Sequence, residues 1–461
     1  QQRWKKFDVM SGDEYAEYYG LENTDGVNTD WQDEVFQNAP IQKYKITLDG
    51  GSPKSSWSAS GGYTNQDGII KSTAYEKYDF GYKGMYQVNK KIDVGFSTGF
   101  SITTQDKVYE GDIENSIIGN ALIAAPMSPI YDSAGNYSPM ENVQIAKNPL
   151  AMIEYGNYST PNLSEEGYGL GTNIWASYDI VKNLEFRSIY NYGKWGKKES
   201  FYIPEYFIAA NQNNGIPVLN YVVREGNNWG TTNTLLYTYD IKDKYDSTRV
   251  KHAIKVLAGH EALYEFQETY RNEVENVPND PNMRYVIAGV SGTKGVWAET
   301  YDAPNEHSMI SYIGRLEYGL SDKYNVNATL RRDGSSRFGS DYKYGNFPSV
   351  GVAWKVNKES FFYNNKVLTD SLGITMFKIR GGWGKIGNEN VGNYMYTGTI
   401  IGDTEAGYSF GGTPVSGTVP EKVSNENIHW EEATSWNVGT DINVFKNKIM
   451  FGDVAISWVA N

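Results

Sequence analysis

Cysteine is absent from the 461 residues, which excludes disulfides, thiolate metal sites and cysteine nucleophiles. Proline is scarce, at 15 residues against 48 glycines, and the glycines follow no triplet period, so collagen is excluded. Basic charge is in deficit: 42 Lys and Arg against 55 Asp and Glu leave a net charge of −13. No basic excess exists to neutralise phosphates, so nucleic acid is not an expected partner. No apolar run approaches the roughly 18 residues of a membrane helix; the nearest, Ala121 to Met127, contains Pro126. The opening Gln1-Gln2-Arg3-Trp4 carries neither an initiator Met nor a hydrophobic leader, and the expectation is that something upstream has been removed. Aromatics, by contrast, reach 14%, with 37 Tyr and 12 Trp, too many for a disordered chain.

What the sequence does contain is alternation. In Ile92 to Ile102, Ile92, Val94, Phe96, Phe100 and Ile102 share one parity, and Asp93, Gly95, Ser97, Gly99 and Ser101 the other. Tyr78, Phe80, Tyr82, Tyr86 and Val88 likewise oppose Lys77, Asp79, Gly81, Lys83 and Gln87. Tyr324, Val326, Ala328 and Leu330, and then Trp436, Val438, Ile442 and Val444, repeat the pattern. Such alternation means strands with one apolar and one polar face. About 14 strands can be counted, most of about 10–14 residues, against a usual mode of about 5–6. A tilted strand crosses a bilayer core in about 9–11 residues. The polar face carries Gly, Ser, Asn, Lys and Asp, which suits a wet lumen.

Connector lengths sharpen this reading. Short links at 89–91, 181–183, 321–323 and 446–447 alternate with long ones near 106–165, 199–230, 271–305 and 387–430, and shorter ones near 65–74 and 335–346. Short turns on one rim and long loops on the other mark an outer-membrane barrel. One link, 358–373, breaks the rule and reads as a small helix around Glu359-Ser360-Phe361-Phe362. Tyr178, Tyr318, Tyr324 and Phe445 cluster beside the short turns, as an interfacial girdle requires. The expected fold is all-β: an antiparallel up-and-down transmembrane barrel. Val94, Phe96, Val326 and Val438 should face lipid, and Ser97, Asn327 and Asn437 water.

Catalytic motifs are weak. Gly381-Gly382-Trp383-Gly384-Lys385 resembles a phosphate loop, but Ile379 and Ile386 stand where Gly and Ser or Thr are needed, and a strand interior fits better. His252, His260, His307 and His429 are scattered, and no metal or cofactor site is expected. Glu431-Glu432 should point to opposite faces. No acid–base or nucleophile–base pair emerges, so no enzyme is expected. The candidate ligand contacts are aromatic. Trp195 and Trp175 carry the polar parity, Trp195 near the long-loop rim, while Trp229, Trp297 and Tyr301 are placed in long loops. An exposed indole can stack on a sugar ring or a peptide side chain; packing of loop against loop explains the same residues equally well.

Several segments resemble the SusC/RagA family of TonB-linked outer-membrane transporters. They are Asn28-Thr29-Asp30-Trp31-Gln32-Asp33-Glu34-Val35-Phe36, Ala39-Pro40-Ile41-Gln42, Gly50-Gly51-Ser52 and Gly61-Gly62-Tyr63-Thr64-Asn65-Gln66-Asp67-Gly68-Ile69. Asn148-Pro149-Leu150-Ala151 with Gly156-Asn157-Tyr158-Ser159 follows. Then come Arg332-Asp333-Gly334-Ser335-Ser336-Arg337-Phe338-Gly339 and Gly345-Asn346-Phe347-Pro348-Ser349 with Val352-Ala353-Trp354. Lys378-Ile379-Arg380, Gly384-Lys385-Ile386-Gly387-Asn388, Trp430-Glu431 and Asn437-Val438-Gly439 complete the series. The resemblance implies a 22-stranded barrel with an N-terminal plug, a SusD-type surface lipoprotein as partner, and energy delivered by TonB. It implies Gram-negative outer-membrane localisation and active import of oligosaccharides or peptides. The plug and TonB box would precede Gln1, and about 14 strands fall short of 22, so the resemblance implies that residues 1–461 are one partial barrel domain, an internal fragment whose first and last strands, near 42–49 and 448–459, should present unpaired edges. Two other functions compete with import: a passive, plug-less porin and a secreted β-rich glycan-binding or adhesive module.

Overall fold

A computed structural model describes residues 6–460, apart from 24, 109, 141–144, 157–162, 247 and 280–299. The alternating segments form β1 (Ile41–Ser52), β2 (Ser55–Asp67), β3 (Ala74–Asn89), β4 (Ile92–Lys107), β5 (Leu163–Val181) and β6 (Leu184–Ile203). After a small hairpin, β7 (Tyr206–Ala209) and β8 (Gln212–Asn214), come β9 (Val218–Lys242), β10 (Val250–Glu275), β11 (Thr300–Leu320), β12 (Tyr324–Ser335), β13 (Tyr344–Lys355) and β14 (Met376–Asn388). A second hairpin, β15 (Thr399–Phe410) and β16 (Thr413–Lys422), precedes β17 (Glu431–Val444) and β18 (Ile449–Ala460). Without the two hairpins, these strands make one 14-stranded sheet in chain order, antiparallel throughout. The expected meander and strand number both hold. Gly381 to Lys385 lies inside β14, as a strand interior.

The short connections lie at one rim. Asn183 there has φ 71°, and Ser321 and Asp322 have φ 51° and 54°, the left-handed conformations that let a tight reversal follow strand twist. At the other rim the strands outrun the sequence-based boundaries. β9 has 25 residues and β10 has 26, so most of the connector expected at 199–230 is strand, as are both ends of that expected at 271–305. Ladder hydrogen bonds continue there after apolar alternation has faded. The connection 356–375 does hold a small helix, α5 (Ser360–Tyr363), followed by a π-helical turn, Val367–Ser371.

Residues paired across strands share a face. One row runs Tyr44, Tyr63, Tyr78, Ile102, Tyr168; the row beside it runs Lys45, Gly62, Asp79, Ser101, Gly169, Trp195. The apolar face is uncovered: Ile46 is 71%, Leu48 61% and Ile174 50% exposed. Val94, Phe96, Val326 and Val438 lie on it, and Ser97, Asn327 and Asn437 on the polar face. Tyr168 and Tyr178 bracket this face ten residues apart on β5. At ~3.4 Å per residue and a tilt of about 40° they span ~26 Å, the height of an outer-membrane barrel's apolar band. β1 pairs only with β2 and β18 only with β17; among the described residues no bridge joins them, so both edges are open as expected.

A cap of irregular chain covers the long-loop rim above β1–β6. It includes α1 (Gly12–Tyr19), α2 (Trp31–Val35), α3 (Ile117–Ile123) and α4 (Pro149–Tyr155). Trp31, Val35, Phe36, Ile70, Ile117, Ala121, Ala124 and Met152 form its apolar core. Trp31 donates its indole N–H to the Ala125 carbonyl at 3.0 Å. Asn148, fully buried, caps α4 and donates to the carbonyls of Ile130 and Ser138. Gln212 of the first hairpin clasps its backbone at 2.7 and 2.9 Å.

Candidate substrate-facing wall

The polar face of β3–β6 holds a gap in its side-chain cover. Gly81, Gly99, Gly171 and Gly193 pair in one row across four strands. A Cβ on Gly171 would meet nothing within 4 Å, and one on Gly99 only a backbone oxygen at 3.9 Å. The middle of the row is therefore open space within this chain, whereas at its ends a Cβ on Gly81 would come within 3.1 Å of the Ser60 hydroxyl and one on Gly193 would overlap the Asn228 side chain. Ser97, Asn173, Asn191 and Lys83 flank it on one side, with Asn173 donating to Asn191 at 2.5 Å. Asp79, Ser101 and Trp195 flank it on the other. A hollow of about 420 Å³ lies on the Trp195 side of the row, lined by Gly99, Gly171, Gly193, Asp79, Ser101 and Trp195 and reached by Lys77 and Asn228.

Trp195 occupies the expected face. Its ring leans over Gly226 of β9, where a Cβ would come within 2.6 Å of the indole nitrogen, so the glycine fixes the indole flat against the wall. Trp175 is also on the polar face, closer to the short turns. Its ring lies over Gly95, Arg187 stacks on it at 4.6 Å, and it lines a hollow of about 600 Å³ with Asp49, Ser58, Lys83 and Ser97. Two indoles thus mark one stripe of the wall.

The structure corrects the placement of Trp229 and Tyr301. Trp229 is in β9, not in a loop, and has the apolar parity. It pairs with Tyr192 and Tyr264 and stacks on Tyr264 at 6.2 Å. The loop assignment failed because β9 begins eleven residues before Trp229. Tyr301 is likewise in a strand, β11, opposite Tyr270. Trp297 lies outside the described residues.

Charge on the polar face is paired. Lys107, Glu165, Lys197, Glu199 and Arg224 form a continuous ladder, with Lys107–Glu165 at 2.5 Å, Lys197–Glu165 at 2.8 Å and Lys197–Glu199 at 3.0 Å. Across the sheet Arg331 bridges Asp333 at 2.7 Å and Glu261 at 2.8 Å. Beside them, buried His307 stands between Glu265 and Glu389, at 3.4 and 3.3 Å. Arg337 donates to the Glu389 carbonyl and to Asn393, so the start of the 389–430 connection is tied over the polar face. Phe338, Phe347 and Trp430 pack together under it. His252 pairs with Tyr318 and His260 packs on Tyr312; among the described residues no acidic or histidine cluster could hold a metal. At the rim, a hollow of about 610 Å³ is lined by Tyr155, Tyr202, Tyr206, Glu154 and Glu205. Burial there pushes the Tyr206 phenol up to about 12, and its O–H donates to the Gly156 carbonyl at 2.9 Å.

No family model matches the chain. TonB-dependent receptor P3 of Formosa agariphila is 27% identical over 456 residues, 96% of this chain and 42% of that protein. TonB-dependent receptor SusC of Bacteroides thetaiotaomicron is 26% identical over 489 residues, 97% of this chain and 44% of that protein. The chain resembles SusC-type TonB-dependent receptors along nearly its whole length. The RagAB peptide transporter has the same fold, with a TM-score of 0.74 at 18% identity over 97% of this chain and 48% of that one. The chain spans less than half the length of the TonB-dependent receptors it matches. The motif residues have visible structural roles at the long-loop rim: Trp31 and Asn148 hold the cap above β1–β6, and Asp333 and Phe338 pack where β12 passes to β13.

Proposed function

We propose that this chain is part of the wall of an outer-membrane barrel that imports a polar solute, an oligosaccharide or a peptide, by a TonB-dependent route. The observation that carries the reading is the orientation of the two faces. The apolar face is bare and about one bilayer core tall, whereas the polar face holds paired charges, amides and a glycine-floored hollow beside Trp195. A secreted adhesive or glycan-binding sheet would bury its apolar face instead. A closed 14-stranded porin would join β1 to β18, and these edges are open. The likeness to SusC-type receptors supports active transport, with TonB drawing on a plug region and a SusD-type lipoprotein serving the long-loop rim. Trp195 and Trp175 would contact the solute.

The test is uptake by cells carrying the full-length protein, with labelled oligosaccharides and peptides offered in parallel and TonB function removed in a matched strain. Uptake of one class that requires both the protein and TonB is the expected result. Uptake that persists without TonB would establish the passive pore.

A further inference from the structure

Among the short-rim connections, residues 356–375 are the exception in length and in chemistry. Phe361 is 63%, Leu372 42% and Phe445 of the neighbouring turn 49% exposed, and the Phe445 N–H donates to the Leu372 carbonyl at 2.8 Å. The direction in which this segment folds is fixed by its packing. Buried Phe362 contacts Phe377, ring centres 5.9 Å apart, and Phe361 lies 6.5 Å from Trp354. Phe377 pairs with Ile442, and Trp354 with Tyr324 and Ile379; all belong to the apolar face of the sheet. The segment therefore leans outward, under the apolar face, and not across the polar one. Glu359 holds it there, accepting from the Tyr324 hydroxyl at 2.7 Å, the Trp354 indole at 3.1 Å and Lys323 at 3.1 Å.

Trp354 and Tyr324 stack within the short-rim aromatic girdle, so the exposed phenyl of Phe361 continues a surface that already meets the bilayer boundary. Trp and Tyr favour that boundary, and an amphipathic segment lying in its plane buries Phe and Leu on its apolar face. We propose that residues 359–372 form an interfacial anchor, with α5 in the headgroup zone of the periplasmic leaflet and Phe361 turned into phospholipid. The inference rests on the barrel reading above. It names a lipid partner for a connection that the transport path does not use.

The experiment uses single cysteines in the full-length protein, any native cysteines elsewhere having been replaced. Phe361→Cys, Val326→Cys on the apolar face and Lys182→Cys in a two-residue turn are spin-labelled. Each is reconstituted in liposomes of phosphatidylethanolamine and phosphatidylglycerol. Accessibility to oxygen, which concentrates in lipid, is compared with that to a water-soluble nickel chelate. The label at 361 should resemble that at 326, with oxygen favoured, and should differ from that at 182. A nickel-accessible label at 361, or one shielded from both reagents by protein, overturns the anchor while a lipid-exposed 326 leaves the barrel intact. A water-exposed 326 would sink the barrel reading itself. Phe361→Trp with brominated lipids gives a second readout: quenching of the added fluorescence is expected, and its absence refutes the proposal.

Discussion

Arginine placed at successive depths should report where lipid meets the wall. Ile174 on β5 stands on the apolar face, four residues from Tyr178 and six from Tyr168. At ~3.4 Å per residue and a tilt of about 40°, that puts it ~10 Å above one boundary and ~16 Å below the other. Arginine near the midplane of such a face costs about 2–4 kcal/mol, roughly a 30- to 700-fold loss in the folding equilibrium at ~1.4 kcal/mol per decade. Asn173, one residue away, faces the polar side. Asn173→Arg loses its bond to Asn191, worth at most about 1 kcal/mol at an exposed site. Val326 lies two residues from Tyr324, only ~5 Å from the boundary, where arginine costs about 0–1 kcal/mol. Full-length variants would be unfolded by urea in liposomes, with folding read by heat-modifiable migration. The expected order is Ile174→Arg far above Val326→Arg and Asn173→Arg. Equal losses at 173 and 174 would refute the assignment of faces, and equal losses at 174 and 326 the placement of the band.

The remaining expectations concern passage and local stability. Gly171→Leu places a side chain in open space, so folding should be unchanged while uptake falls; unchanged uptake would remove the glycine row from the path. Trp195→Ala should weaken ligand affinity with assembly intact, whereas Trp229→Ala should lower stability in lipid and leave affinity alone, and the reverse pattern would contradict their opposite faces. The bonds from Tyr324, Trp354 and Lys323 hold the Glu359 carboxyl below the usual carboxylate range. Its contribution is therefore present above the unfolded-state value and is lost as pH falls through the lower folded-state one. The stability gap between wild type and Glu359→Gln should be open at neutral pH and close in acid. A gap independent of pH would exclude the carboxylate as its source.

Much of this architecture was legible in the sequence because period-two alternation and two-residue turns are local signals. The Ile92 to Ile102 parity and the turn at Lys182-Asn183 both map directly onto strands and rim. Strand ends at the long-loop rim were not legible. Beyond the apolar band a strand needs only its ladder bonds, so β9 continues through Val218–Gly230 without alternating hydrophobicity. Trp229 was misplaced for that reason, while Trp195 fell correctly because its parity could be counted from Phe186 and Tyr190. The glycine row could not be found at all. Each member is an ordinary polar-parity glycine, and β4 and β5 are separated by residues 108–162, so only their register shows that the four align. His307 gave no signal either, since Glu265 and Glu389 reach it from distant segments.

The sheet and its rim cap differ in how far along the chain their contacts reach, and this has a consequence for assembly. In the sheet nearly every strand meets its chain neighbour, so pairing can advance hairpin by hairpin with modest loop-closure entropy. The cap is stitched over long separations instead: Thr29 to Ser128 and Trp31 to Ala125 are 99 and 94 residues apart, and Asn148 to Gln212 is 64. Its last clasp needs β7 and β8, which follow β6. The N-terminal segment can settle on Ile70, Ile117, Ala121, Ala124 and Met152 once four strands and the 108–162 connection exist, but the Gln212 clasp can close only after six strands have been laid down.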